Sequence, residues 1–475
     1  MTMPTTEELA ELLRQTAPKA LNGNGAEAAP TAFHLTDLGN AERLVSAHGR
    51  DLRFAPGIGW FAWDGRRWKR DTNGEAMRRM KATIRGLYVE AATLDDPAER
   101  KRLVAWAGSS EAENRLRGAL ALAETESGVV VDASLLDANP WLLNVANGTV
   151  DLRTGKLRGH RRDDLLTKLA PVTYMADVRS IHWDRFLKTV TQGDEELAAF
   201  LQRAAGYSLT GDTSEEVLFF AHGPTATGKS TYLEAKRAAL GEYATTADFE
   251  SFLKRRGDSG VRNDVARMRG ARLVVSLEVD EGKALAEGLL KALTGGDTVT
   301  ARFLYRELFE FKPAFTIWLA ANARPRVNSD DEAMWRRILQ VPFVAVIPEQ
   351  ERDPEVKRRL TTGEPERSAI LAWAVQGCLA WQKQGLAVPE RVRAYTREYR
   401  EENDPLRGWL TDACTLNATA STASAQLRHS YEQWCNDNGE KPIGAKTFNA
   451  SMRAKGCQPD KQAGGVRVWN GITLD

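Results

Sequence analysis

One short stretch limits what this chain can fold into more than any other, the glycine-rich segment Gly223-Pro-Thr-Ala-Thr-Gly-Lys-Ser230. It has the spacing G-x4-G-K-[ST], in which the backbone N–H groups of a tight loop surround a phosphate. The apolar run Val217–Ala221 precedes it, and Thr231–Leu240, which reads as a helix, is followed by Gly241. A strand, a phosphate loop and a helix in this order predict an α/β fold with a nucleotide site.

The motif gives each part of this loop a chemical role. Glycines let the backbone fold closely around phosphate oxygens, and the following helix adds unpaired N–H groups and a positive dipole end. We expect Lys229 to reach the β- and γ-phosphates of a nucleoside triphosphate and the Ser230 hydroxyl to bind Mg²⁺. The predicted ATP-binding residues are Gly223, Pro224, Thr225, Ala226, Thr227, Gly228, Lys229, Ser230 and Thr231.

Two further apolar runs, Leu273–Leu277 and Phe315–Ala321, predict buried strands of a parallel sheet. A polar residue follows each run directly, Glu278 after the first and Asn322 after the second. We expect Glu278 to act as a base linked to the metal, and Asn322 to orient the attacking water molecule. Two more acids follow closely and leave the division of roles open: Asp280 and Glu281.

Composition excludes several classes of protein. The 475 residues suggest two to four domains, and 65 basic against 64 acidic residues leave a net charge of +1. A surface that binds nucleic acid must therefore be local, because the whole chain carries no excess of positive charge. The cysteines are too few and too widely spaced for a disulfide framework or a zinc site, which favours a reducing compartment: Cys378, Cys414, Cys435 and Cys457.

The sequence also lacks the signals of membrane insertion or secretion. No apolar run approaches the ~20 residues that span a bilayer. The segment Met1–Arg14 carries three glutamates and no apolar core, so it is not a signal peptide. We expect a cytoplasmic protein with no membrane contact.

Local patterns outline the rest of the chain. Thr5–Gln15 is typical of a short polar helix, and Asn22–Pro30 has a linker composition. Trp60–Trp68 predicts a hairpin that turns at Asp64–Gly65. The remaining patterns are helices over Glu75–Leu122 and Glu366–Arg400, β turns in Val145–Lys156, and a C-terminal part with helices at Ser424–Asn438 and Lys446–Lys455 and a hairpin at Val466–Leu474.

Three motifs between Gly223 and Asn322 resemble those of superfamily 3 helicases, and their flanks are closer still to the phage and plasmid primase–helicase family with its poxvirus-type relatives. The segments that carry this resemblance are Asn144-Val-Ala-Asn-Gly-Thr-Val-Asp-Leu-Arg-Thr-Gly, Leu293-Thr-Gly-Gly-Asp-Thr-Val-Thr-Ala-Arg-Phe-Leu-Tyr-Arg-Glu and Asp331-Glu-Ala-Met-Trp-Arg-Arg-Ile. The resemblance implies an AAA+-like, usually hexameric ATPase that translocates on single-stranded DNA.

The resemblance assigns further roles by position. Arg337 would be the arginine finger offered to the next subunit, with Arg336 as its rival. Glu278 takes the place of the acidic motif, although Ser-Leu-Glu-Val-Asp lacks the usual two adjacent acids. The usual N-terminal primase domain is missing from the pattern, so we expect a separate primase as partner, in a bacterial host cell.

Two regions are candidates for DNA contact. The alternating strands Thr298–Tyr305 and Leu308–Lys312 predict a hairpin that resembles the one projecting into the ring channel, with Tyr305 stacking on a base and Arg306 meeting a phosphate. The C-terminal helices and ribbon resemble a winged helix. Its candidate phosphate contacts are Lys446, Arg453, Lys455, Lys461 and Arg467.

The predicted fold class is α/β, with a P-loop, AAA+-like parallel-sheet ATPase core, an α+β N-terminal domain and a C-terminal winged helix. The predicted segments are a flexible 1–34, an N-terminal domain 35–200, an ATPase domain 201–350, a helical connector 351–415 and a winged helix 416–475. The predicted function is an ATP-dependent DNA helicase. Two alternatives stay open, a P-loop kinase of small molecules and an initiator that assembles on DNA with ATP but does not unwind it.

Overall fold

The computed structural model describes residues 33–254, 263–277, 283–302, 307–327, 332–462 and 464–475. The predicted helix and linker near the N-terminus lie outside these residues. The described chain forms two compact units, one from residues 33–54 and 71–130, the other from residues 55–70 and from 131 onward. No helix among the described residues is long and apolar enough to cross a membrane.

The first unit is mainly helical. Its elements are α1 (Asp37–His48), β1 (Leu52–Ala55, whose last residue begins the second unit), α2 (Glu75–Thr93), α3 (Pro97–Ser110) and α4 (Glu113–Ala123). The helix α2 buries Met80, Ile84 and Leu87, which are three or four residues apart and so share one face. The predicted helical stretch is thus three helices, and α3 begins at a proline behind the capping carboxylate of Asp96.

The second unit begins with small antiparallel elements. These are the hairpin β2 (Gly59–Trp63) and β3 (Trp68–Arg70), and the sheet of β4 (Leu142–Val145), β5 (Gly148–Asp151) and β6 (Lys156–Arg158). The hairpin turns at the predicted place, because Trp63 pairs with Trp68 and the N–H of Asp64 donates to the carbonyl of Arg67.

A five-stranded parallel sheet in the order β13-β7-β12-β9-β8 forms the centre of this unit. Its strands alternate with helices, as a parallel sheet requires. The elements are α5 (Ile181–Thr191), α6 (Glu195–Tyr207), β7 (Leu218–His222), α7 (Lys229–Leu240), β8 (Ala244–Thr246), α8 (Asn263–Ala266), β9 (Leu273–Leu277), α9 (Glu287–Thr294), β10 (Val299–Arg302), β11 (Leu308–Phe311), β12 (Thr316–Ala321), α10 (Glu332–Trp335) and β13 (Ile338–Pro342).

Apolar cores cover both faces of this sheet. Alternate residues such as Phe219 and Trp318 join one core, and Phe220 and Ile317 join the other. The prediction of a parallel α/β sheet from uninterrupted apolar runs is therefore confirmed for β7, β9 and β12. The strands at the two edges were not predicted, because β8 has only three residues and Gln340 interrupts the apolar run of β13.

Three helices follow the sheet, α11 (Val356–Thr362), α12 (Glu364–Gln384) and α13 (Glu390–Glu402). The helix α12 packs on α6 so closely that a Cβ built on Gly377 would lie 1.9 Å from the carbonyl oxygen of Gln202. The helix α13 covers the open edge of β13, where the Thr396 hydroxyl accepts a hydrogen bond from the N–H of Gln340 at 3.0 Å. An edge donor of the sheet is thereby satisfied.

The C-terminal part has its own core around Trp409, Tyr431 and Phe448. Its elements are α14 (Arg407–Ala413), β14 (Cys414–Ala423), α15 (Ser424–Asp437), α16 (Ala445–Ala454), β15 (Gln458–Lys461) and β16 (Arg467–Leu474), and its antiparallel sheet has the order β14-β16-β15. The predicted helices are present, but α14 and β14 were not predicted.

The predicted hairpin at Val466–Leu474 is wrong, because Arg467–Leu474 is one continuous strand. Asn-Gly at 470–471 suggested a turn, since both residues tolerate positive φ. In the structure Gly471, at φ +99°, lies opposite an irregularity of β14, where the pairing shifts between Asn417 and Ser421. The ribbon is formed instead by β15 and β16.

We expect Gly377→Ala to destabilise the fold by ~2 kcal/mol or more, because the methyl group forces α6 and α12 apart. Urea unfolding of the purified chain measures this. The matched control is Gly288→Ala, since the exposed helical Gly288 has no atom within 4 Å of its built Cβ. The control should keep or slightly raise the free energy of unfolding. Equal stability of the two variants would contradict this packing.

Candidate nucleotide site

The loop between β7 and α7 has a backbone shape that its sequence makes possible. Gly223, Ala226 and Gly228 have φ of +154°, +60° and +86°. A Cβ on Gly223 would lie 1.9 Å from the carbonyl oxygen of Phe343, and one on Gly228 would lie 2.6 Å from Val190. Only glycine fits these two positions, so the loop is held tightly between α5 and the segment that follows β13.

Lys229 is the first residue of α7, and its ammonium group turns back into the loop. Its Nζ donates to the carbonyl oxygens of Gly223 at 2.7 Å and Pro224 at 2.6 Å, and lies 3.3 Å from the hydroxyl of Thr227. Burial lowers the pKa of Lys229 to about 8. A buried cation held only by neutral carbonyl oxygens fits an anionic group, which would replace those oxygens.

Other loop residues differ in exposure. Thr227 is buried, with its hydroxyl donating to the carbonyl of Pro224 at 3.0 Å. The side chain of Ser230 is exposed at the start of α7, where a metal ion beside a bound phosphate would be accessible to it. The exposed loop positions besides Ser230 are Pro224 and Thr225, and the half-buried ones are Ala226, Gly228 and Thr231.

The predicted water-orienting residue, Asn322, lies at the same edge of the sheet as this loop. It directly follows Ala321, which pairs with His222, the residue before Gly223. Its side chain is exposed. In the neighbouring strand β9, the last residue, Leu277, pairs with Ala320 of β12.

The predicted acidic residues Glu278, Asp280 and Glu281 lie outside the described residues. Within the described ranges, no group of three or more His, Cys, Asp or Glu side chains is arranged to hold a metal ion. The part of the predicted metal site that the structure describes is therefore Ser230.

A contact between His222 and α13 was not predicted. The Nδ1 of His222 lies 2.7 Å from the hydroxyl of Tyr395. Burial, together with the charges of Arg324 and Lys229, lowers the pKa of His222 to about 4, so the ring is neutral near pH 7. No sequence motif signals this pair, because its members are 173 residues apart.

Arg324, two residues after Asn322, also contacts α13. Its guanidinium lies over the ring of Tyr395 at 4.8 Å and pairs with Glu398 at 2.9 Å and Glu402 at 2.5 Å. The end of β7 and the loop after β12 are thus both attached to the same helix.

The two candidate finger arginines lie at the other end of the sheet. The carbonyl of Arg337 accepts the N–H of Leu218, at the start of β7. The guanidinium of Arg337 is buried, 2.7 Å from both Glu216 and the carbonyl of Ala333. The side chain of Arg336 is 62% exposed and lies 3.3 Å from Glu216. The length of β7, ~16 Å for five residues, separates both arginines from the loop of their own chain.

The candidate DNA contacts are described only in part. The strands β10 and β11 form the predicted antiparallel hairpin, with Arg302 opposite Leu308. Tyr305 and Arg306 lie outside the described residues. Lys446 and Arg453 are both exposed on α16.

Two family models match the chain. The model described as "D5 N terminal like" matches residues 41–192, and that of a family of unknown function (DUF5906) matches residues 221–337. The second match contains the loop from Gly223 to Ser230, Asn322 and both candidate finger arginines.

Curated viral proteins are similar over much of the chain. The "Putative helicase L207/L206" of Acanthamoeba polyphaga mimivirus is 28% identical over 64% of this chain and 34% of its own length. The "Putative helicase 022R" of Frog virus 3 is 23% identical, over 64% of this chain and 39% of its own length. The chain therefore spans little more than a third of these relatives.

A solved structure shows a similar fold. The apo C-terminal region of NrS-1, in its A form, covers 92% of this chain and 99% of its own length, with a TM-score of 0.51 at 12% identity. At this identity the likeness concerns the fold alone.

We expect the affinity for a non-hydrolysable ATP analogue to fall as the pH rises above 8. The Lys229 amine, with a pKa of about 8 in the free chain, must then take up a proton to pair with phosphate. The dissociation constant should rise about tenfold between pH 8 and pH 9.5, measured by calorimetry. Lys229→Arg keeps its charge over this range and should show little pH dependence. The same slope in both proteins would exclude Lys229 as its source.

Proposed function

Because the chain is a relative of the D5-type helicases, we propose that it is a superfamily 3 DNA helicase. In this proposal it hydrolyses ATP with Mg²⁺ and translocates on single-stranded DNA during replication of a phage or other mobile element, inside a bacterial host cell. The observation that carries the proposal is the ammonium of Lys229, buried against the carbonyls of Gly223 and Pro224 at the start of a helix. A separate primase is part of the same proposal.

The residues at this edge of the sheet have separate proposed roles in ATP hydrolysis. ATP with Mg²⁺ would supply the phosphoryl group, its leaving group and a divalent charge. Lys229 neutralises phosphate oxygens, the exposed hydroxyl of Ser230 is the metal contact, and Glu278 is the proposed base. Asn322, beside His222 at the same edge, positions the water molecule. The loop backbone from Gly223 to Thr231 forms the phosphate cradle.

The position of the two arginines supports catalysis between subunits. Since both lie at the end of β7 away from their own loop, they can act only on the site of another chain. A head-to-tail contact that repeats with a constant rotation closes into a ring, which we propose to be a hexamer. The exposed side chain of Arg336 favours it as the arginine finger, because the guanidinium of Arg337 is buried and pairs with Glu216.

The proposed DNA contacts lie in two places. Tyr305 and Arg306, between β10 and β11, would face the strand in the ring channel. In the C-terminal part, the order helix, strand, two helices and two strands supports a winged helix, with Lys446 and Arg453 on its last helix, α16, as phosphate contacts. The domain boundaries predicted from the sequence remain proposals.

The ATPase rate with and without single-stranded DNA separates the proposal from its alternatives. We expect stimulation by DNA in the parent chain and loss of at least ~99% of turnover in Lys229→Ala, since its cation stabilises the transferred phosphate. Lys383→Ala, an exposed lysine on α12, is the matched control and should keep the parent rate. Turnover that needs a small-molecule acceptor would identify a kinase, and ATP binding without turnover would identify an initiator.

A mixing experiment tests the ring and separates the two arginines. Arg336→Ala should bind ATP normally but hydrolyse it ~10³-fold more slowly, because the finger stabilises charge on the phosphoryl group. Mixing it with Lys229→Ala should restore part of the rate, since some interfaces then combine an intact lysine with an intact arginine. The same mixture is made with Arg337→Ala, whose free energy of unfolding should fall because Glu216 loses its buried partner. If neither mixture regains activity in mixed rings, catalysis between subunits is excluded.

A further inference from the structure

A local excess of positive charge lies in the second unit, away from the phosphate loop in sequence. The chain as a whole has a net charge of +1. The segment Ala55–Arg70 has one acidic residue, Asp64, against four basic ones. In the segment after β6 a basic pair is followed directly by two acidic residues, Asp163 and Asp164. These basic residues are Arg66, Arg67, Lys69 and Arg70, and then Arg161 and Arg162.

Hydrogen bonds fix the hairpin of β2 and β3 beside the second segment. Trp68 is fully buried, its N–H donates to the carbonyl of Leu166 at 2.8 Å, and its indole Nε1 donates to the carbonyl of Arg162 at 2.8 Å. The side chain of Asn144 donates to the carbonyl of Arg66 at 3.0 Å. The turn of the hairpin and the segment after β6 therefore lie side by side, and we call the residues there the hairpin surface: Trp63, Arg66, Arg161 and Arg162.

Some cations near this surface are already neutralised, whereas others are not. Arg67 pairs with Glu242, and Arg158 holds Asp164 through two bonds of 2.6 and 2.8 Å. The carboxylate of Asp64 accepts the N–H groups of Arg66 and Arg67 in the turn. Arg66 and Arg161 are exposed, and neither of them makes an ion pair with a carboxylate in the described ranges.

The same surface carries an aromatic plane. The half-buried ring of Trp63 has the guanidinium of Arg162 over it at 5.2 Å and the ring of Trp68 against it edge-on at 5.7 Å. Planar groups of this kind stack with nucleic acid bases, and stacking of this kind is largely independent of base sequence. In a duplex both faces of an interior base are already covered, so only an unstacked base can extend the Trp63–Arg162 stack.

We propose that the hairpin surface binds single-stranded DNA, with phosphates at Arg66 and Arg161 and a base stacked on the Trp63–Arg162 pair. This rests on the proposed function, which requires single-stranded DNA but assigns no contact to this part of the chain. The surface is separate in sequence from the hairpin of β10 and β11 and from the C-terminal helices. It adds a point at which the strand is held outside the ATPase sheet.

The charge contribution is tested with the full chain and a fluorescently labelled oligo-dT, by anisotropy over a range of salt concentrations. The double variant Arg66→Gln and Arg161→Gln should bind about tenfold more weakly. The slope of log affinity against log salt should become shallower by about 1.4, since each phosphate contact contributes ~0.7. The control removes the same charge from exposed sites on α2, and should bind as the parent does: Lys81→Gln and Arg85→Gln.

The stack is tested by a second pair of variants. Trp63→Ala should weaken binding about tenfold without changing the salt slope, because stacking releases no counterions. Trp63→Phe should restore most of the affinity, and the unfolding midpoint in urea shows that both variants are folded. A rescue by phenylalanine distinguishes stacking from a general loss of packing.

Each other outcome overturns a defined statement. If the double variant and its control bind oligo-dT equally, the hairpin surface is not a DNA contact and the proposed function stands. If the double variant loses only duplex binding, the partner is not single-stranded DNA. If the parent chain binds no single-stranded DNA at all, the proposed function fails with the inference.

Discussion

The pairing of β7 with a strand on each side holds the candidate site in shape. Leu218 to His222 are in register with Ile317 to Ala321 of β12 and with Ile338 to Pro342 of β13. Within the core, Phe219 stacks on Trp318 at 4.5 Å, and the indole of Trp318 donates to Ser208 at 3.0 Å. The chain therefore leaves β7 in a fixed direction, and the strained angles of the loop follow from that exit and from the close contact of Gly223 with Phe343.

The parts of the fold that sequence could predict are those with a strong local signal. Uninterrupted apolar runs predicted β7, β9 and β12, and the glycine-rich motif predicted the phosphate loop and α7. The edge strand β13 reads Ile-Leu-Gln-Val-Pro, and its buried Gln340 has no partner within its own strand. It needs Arg324 and Thr396 from distant parts of the chain, which local patterns do not reveal.

The candidate site was predictable to a similar extent. The positions of Lys229 and Asn322 after predicted parallel strands were enough to predict that both lie at one edge of the sheet, because the carboxyl ends of parallel strands meet there. Spacing could not distinguish Arg336 from Arg337, since adjacent residues differ only in the direction in which they point. In the structure Arg337 is buried, whereas the side chain of Arg336 is 62% exposed. The contact of His222 with Tyr395 also depends on tertiary packing and has no sequence signal.

The helix α13 connects two regions of the chain. Near its middle it is attached to the end of β7 through Tyr395 and to the loop after β12 through Glu398. Asn403, which follows α13, accepts the N–H of Val327 at 2.9 Å. Leu406, only four residues after α13, is already part of the C-terminal core. A rigid rod of 13 residues, ~20 Å long, transmits a displacement at one end to the other without stretching. The nucleotide edge of the sheet and the C-terminal core are therefore connected through one helix.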